Sequence, residues 1–87
     1  MSQTVTLNAL ARRCRVSSML LVRFFPAAWT SPRDWWMNGP EVMISAWSLR
    51  ALAIELEAGG HLDVANVVRD VRGELIPEVS RLAEVCA

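Results

Sequence analysis

The feature that most constrains this chain is the run TLNALARRCRVSSMLLVRFF at residues 6–25, in which two helical patterns meet at a turn. Thr6 is placed to cap the first helix, because a hydroxyl there accepts a hydrogen bond from a backbone N–H that has no partner inside the helix. Leu7, Leu10, Ala11 and Cys14 follow at i, i+3, i+4 and i+7 and form one apolar stripe. Arg15-Val16 marks the turn and Ser17 the cap of the second helix. Met19, Leu20, Leu21, Phe24 and Phe25 then supply more apolar surface than a single helix face can bury, so a surplus is left for something else to cover.

Taken together, Leu10, Ala11, Val16, Ser17, Leu21 and Phe24 make the pattern LA-xxx-xV-S-xxx-L-xx-F. It resembles the helix-turn-helix of bacterial and phage DNA-binding proteins, and the opening TVTLNALARRCRVS is most similar to the MerR and excisionase type. The resemblance implies that Ala11 lets the two helices cross closely, that Val16 plugs the angle between them, and that Leu21 and Phe24 anchor the second helix. Arg15 stands where such motifs usually carry Gly, and a left-handed backbone there costs a non-Gly residue about 1 kcal/mol. The outward positions of the second helix are Ser17, Ser18, Met19, Val22 and Arg23, fewer polar and basic groups than a reader of base edges usually offers.

Charge along the chain is uneven although the net charge is zero. Residues 1–33 hold Arg12, Arg13, Arg15, Arg23 and Arg33 and no acid, whereas residues 34–87 hold nine acids against four arginines, so the two parts carry about +5 and −5. A basic segment that coincides with the two-helix motif is the electrostatic footprint expected of phosphate contact. The alternative is that the basic part docks on the acidic part, within one chain or across a dimer. All nine basic residues are Arg, the better residue for bidentate contact with phosphate or guanine.

Eighty-seven residues make one domain, and a domain of this size buries only about 60–65% of its unfolded surface. A hydrophobic share of 53% against 21% charged residues is high for such a chain, which points to a partner or a homodimer. Cys14 and Cys86 show no CxxC spacing, so neither a metal site nor a disulfide framework is expected, and a cytoplasmic location follows as the default. The apolar run after RRCRVSS is interrupted by Arg23 and ended by Pro26, far short of the ~18 apolar residues of a membrane span.

Pro26 stops the second helix. Ser31, Pro32 and Asp34 have the ingredients of a helix start, with a hydroxyl cap, proline in the first turn and an acid three residues after the cap, and predict a short helix over residues 31–37. Trp29, Trp35 and Trp36 fall in this region, either covering a small core or forming an aromatic anchor for a partner. Asn38-Gly39 opens two readings of residues 35–44. One is a winged hairpin of two strands; the other begins a helix at Pro40, favoured because a proline just after a two-residue turn has no N–H to return across the loop. The second reading gives a central helix over residues 40–58 that ends at Gly59-Gly60, with two stripes, Val42, Ala46, Leu49, Ala53, Leu56 and Met43, Trp47, Ile54, packed on more than one side.

An acidic helical pair at residues 62–86 completes the chain: Leu62 to Arg72, with Leu62, Ala65, Val68, Val71 and Leu75 as the buried line and breaks at Gly73 and Pro77, then a last helix from Pro77 to about Cys86 using Val79, Leu82, Ala83 and Cys86. The expected fold is therefore all-α, a compact bundle of about five short helices with an N-terminal helix-turn-helix at residues 6–25.

No catalytic constellation is visible. His61 is the lone histidine, Glu55 and Glu57 sit two apart and point to different helix faces, and no phosphate loop, nucleophile elbow or metal-ligand cluster occurs. Neither an enzyme nor a bound cofactor is expected. Two functions of different class remain. In the first, a small DNA-binding transcriptional regulator, a homodimer, contacts double-stranded DNA with Arg12, Arg13 and Arg15 on phosphates and Ser17, Ser18, Met19, Val22 and Arg23 toward the groove. In the second, a small inhibitor or modulator keeps the helix-turn-helix shape but docks on a larger protein through Met19, Val22, Trp29, Trp35 and Trp36.

Overall fold

Thr6 joins a strand to a helix, and the architecture grows from that joint. The computed structural model describes residues 3–78. Strand β1 (Thr4–Thr6) runs directly into helix α1 (Leu7–Cys14), where the Thr6 hydroxyl accepts from the Ala9 N–H at 3.0 Å. At the other end Arg15 adopts the left-handed conformation (φ 57°, ψ 41°), and the Val16 N–H reaches back to the Ala11 carbonyl at 3.1 Å. That bond closes the last turn as a glycine would, with an arginine in its place. Ser17 then caps α2 (Ser18–Arg23), accepting from the Met19 N–H at 3.2 Å.

The all-α expectation is wrong: the molecule is mixed α/β, with a three-stranded antiparallel sheet in the order β1-β3-β2 beside four α-helices among the described residues. Residues 31–37 do not form a helix. They make a turn followed by β2 (Trp35–Asn38), and Asp34 closes that turn by accepting from the Thr30 N–H through its carboxylate at 2.9 Å instead of opening a helix. The central helix over residues 40–58 is likewise corrected: it divides into β3 (Glu41–Ser45), a 3-10 turn (Ala46–Ser48) and α3 (Leu49–Ala58).

The hairpin exists because its loop is Gly39-Pro40, with Asn38 and Glu41 as the last paired residues. Gly39 takes φ 62° while proline is held near −65°, the φ signs of a type II′ turn. Proline in the second loop position owes the ladder no N–H, so the objection to a hairpin, which assumed an Asn-Gly loop, does not apply. Trp35 faces Ile44, Trp36 faces Met43 and Met37 faces Val42 across the hairpin, while Val5 faces Ile44 from the other side. Partners across a sheet share a face, so Val5, Trp35, Val42 and Ile44 look inward, and Thr6, Trp36 and Met43 look outward.

Helix α3 ends at Gly59-Gly60: the His61 N–H returns to the Leu56 carbonyl at 2.8 Å and Gly60 takes φ 87°. The chain then doubles back as α4 (Leu62–Leu75), which lies along α3. Gly73 does not break α4; the helix passes through it and stops where Ile76 turns extended ahead of Pro77, as the residue before a proline must. Leu62 is 49% exposed and is no part of the buried line, which is Ala65, Val68 and Val71. The helix expected beyond Pro77 lies outside the described residues from 79 on, and with it Val79, Leu82, Ala83 and Cys86.

One core holds these elements together. Leu10 of α1, Leu21 of α2, Ile44 of β3, Leu49, Leu52 and Leu56 of α3 and Val68 of α4 have no exposed surface. The second stripe expected for the central helix is not buried, since Trp47 is 57% exposed and Ile54 also faces out. No helix among the described residues is long and apolar enough to cross a membrane.

Candidate nucleic-acid interface

Helix α2 has a buried side and an outward side, set by which residues the core takes. Leu21 fills the core, and Phe24 packs its ring edge-on against His61 with centroids 5.1 Å apart. That leaves Met19, Val22 and Arg23 at i, i+3 and i+4 on the opposite face, with Ser18 one turn before Val22. Met19 is 64% and Val22 39% exposed, and Arg23 and Ser17 are exposed as well. Ser18, Met19 and Val22 thus form one strip, with the exposed Arg15 before it at the turn and Arg23 at the C-terminal end of the helix.

The arginines named from the sequence do not all face the same way. Arg13 is committed: its guanidinium holds Glu74 of α4 through two hydrogen bonds of 2.6 and 3.2 Å. The pairing raises the Arg13 pKa above its ordinary value and holds the Glu74 carboxyl below its own. Arg12 borders a groove between α1 and the last turns of α4 that is also lined by Val5, Ala9, Val71 and Leu75. Arg33 borders a different cleft, beside Trp29, Asp34 and Trp47. Arg15 and Arg23 are the two that flank the outward strip of α2. Neither they nor Arg12 make an ion pair among the described residues, where the bridges are Arg13–Glu74 and Arg69–Glu57.

No acid precedes Asp34, and Asp34 itself is engaged. Its carboxylate accepts from the Ser48 hydroxyl at 2.6 Å and from the Thr30 N–H, and these hydrogen bonds, Ser48 first, hold its pKa below the ordinary aspartate value. The Asp34 backbone carbonyl also accepts from the Ser45 N–H. Asp34 therefore fastens the segment between α2 and the hairpin to the start of α3. Cys14, on the rim of the α1 stripe, is a thiol whose pKa is pushed up by burial.

The tryptophans do not make one surface. Trp29 packs on Phe25, ring centroids 4.8 Å apart, at the edge of the core. Trp35 and Trp36 are neighbours in a strand and so lie on opposite faces of the sheet, both half-buried. Two exposed features stand where the favoured sequence reading had a packed helix: the hairpin, which was the reading set aside, with Met37 and the tip Asn38-Gly39-Pro40-Glu41, and Trp47. The signal for the first was the run of β-formers on both sides of Asn-Gly-Pro. Comparison of the chain with protein-family models, with curated proteins and with solved structures finds no match in any of the three.

Proposed function

We propose that this chain binds double-stranded DNA as a small transcriptional regulator, with α1 and α2 acting as a helix-turn-helix and the outward strip of α2 entering the major groove. The observation that carries the reading is the flanking of that strip by Arg15 and Arg23, both exposed, in a stretch of the chain without an acid before Asp34. Cations at both ends of a groove-sized helix favour the negative rails on either side of a major groove. The hairpin carries no arginine and ends in Glu41, so in this reading phosphate contact comes from the helices and not from the hairpin.

The test is binding of the purified chain to random-sequence duplex at two salt concentrations. Affinity should fall with salt, with a log–log slope of about −0.9 for each phosphate neutralised. One observation favours a second reading: Met19 and Val22 put apolar groups on the strip, as a protein-docking surface would. Absence of binding at the lower salt would move the assignment to that reading, an inhibitor or modulator docked on a larger protein, with Met19→Asp and Val22→Asp as the variants that should abolish capture.

A further inference from the structure

The strip on α2 has a chemistry that selects among base pairs. Arg and Lys fix guanine by paired hydrogen bonds, and Asn and Gln fix adenine in the same way. Helix α2 has no Asn, Gln or Lys, and its single Arg23 is its last residue. The groups at its outward centre are the Met19 thioether chain and the Val22 methyls. The one apolar group that bases present in the major groove is the C5 methyl of thymine.

Resting on the DNA-binding reading above, we infer that α2 discriminates sequence by burying thymine C5 methyl groups against Met19 and Val22, while Arg15 and Arg23 hold the flanking phosphates. Met19 and Val22 are one helical turn apart, so they reach methyls on neighbouring base pairs. The unbranched Met19 chain adapts to the methyl it meets, whereas Val22 is fixed in one rotamer and sets the register. Ser18, on the same strip, offers a hydroxyl that suits either a donor or an acceptor on a base edge and adds little selectivity.

The experiment compares an alternating A–T duplex with the same duplex carrying deoxyuridine in place of thymine, which removes only the C5 methyls. Burial of one methyl is worth about a fourfold change in affinity, so two contacts give a loss of about fifteenfold. Replacing cytosine by 5-methylcytosine in an alternating G–C duplex restores a methyl at the equivalent position, and affinity should rise. Met19→Ala with Val22→Ala should shrink both differences, and because both side chains are exposed the double variant should retain its circular dichroism spectrum.

Equal affinity for the thymine and deoxyuridine duplexes overturns the inference and leaves the DNA-binding reading standing. A loss with deoxyuridine but no gain with 5-methylcytosine also overturns it, because the difference then belongs to duplex shape. Failure to bind either duplex at low salt overturns the inference and the DNA-binding reading together.

Discussion

The ring of Phe24 occupies the space where Gly59 has no side chain: a Cβ at Gly59 would overlap Phe24 Cε1 and Cζ. The end of α2 is thereby set against the end of α3, with His61 closing the ring from one side. Gly59 has an ordinary backbone (φ −84°), so what it supplies is room and not conformational freedom. Gly59→Ala should cost about 1–3 kcal/mol by forcing the ring aside, read as a lower urea midpoint with unchanged slope. An alanine variant as stable as the parent would show that Phe24 is not seated against this glycine.

Gly39, at φ 62°, has open space around its α-carbon. Its role is the reverse of that of Gly59, and Gly39→Ala should cost about 1 kcal/mol through backbone strain alone. The loss should be rescued by a D-amino acid at the same position in a synthetic chain, a result that simple crowding would not give.

Arg15 holds a left-handed backbone that glycine adopts without strain. Arg15→Gly should therefore raise stability by about 1 kcal/mol in thermal or urea unfolding. In the DNA-binding reading the same variant flattens the salt dependence of duplex affinity by about 0.9 in slope. A gain in stability coupled to a loss of binding is the signature of a strained residue retained for its side chain.

The division of labour among the arginines gives a fourth comparison. Arg13→Ala should leave the salt slope of duplex binding unchanged, because its guanidinium is held by Glu74. Arg15→Ala and Arg23→Ala should each lower the slope by about 0.9. Equal effects from all three would mean that Glu74 releases Arg13 when DNA is present.

Acid should loosen the segment between α2 and the hairpin. The Asp34 carboxyl is held below its ordinary value of 3.8, so its contribution is fully present above that value and is lost as pH falls through the lower folded one. Asp34→Asn keeps the shape but weakens both hydrogen bonds to the carboxylate, and should reduce the part of the pH dependence below about pH 4. The check is urea unfolding across that range, with the parent and variant curves converging at the acid end.

Much of the N-terminal part was legible because it is specified locally. Thr6 and Ser17 cap helices whose apolar spacing is read directly, and both caps are made. Residues 35–45 were misread because the evidence there is divided. Val42 and Ile44 fit a two-residue period, while Val42, Ala46, Leu49 and Ala53 fit a helical one, and short apolar runs do not separate the two. What decides is tertiary: β1, more than thirty residues earlier in sequence, pairs with β3 and makes a strand there stable. Gly73 misled for the opposite reason, since packing of α4 on α3 outweighs the roughly 1 kcal/mol that an interior glycine costs. The candidate site was readable as a set of residue types on α2, but the Arg13–Glu74 bond spans 61 positions and leaves no local trace, so the sequence placed Arg13 on phosphate.

Thr6 ends β1 opposite Met43 and, through its hydroxyl, begins α1. A single residue is thus the hinge pin between hairpin and helix, with β3 as the plate to which it is bolted. The hairpin reaches the two-helix unit by two routes, the pairing of β3 with β1 that leads into α1 and the segment that joins the end of α2 to β2. The sheet and the helix pair thus close a ring: β1 leads into α1, and the chain that leaves α2 returns to the same sheet as β2.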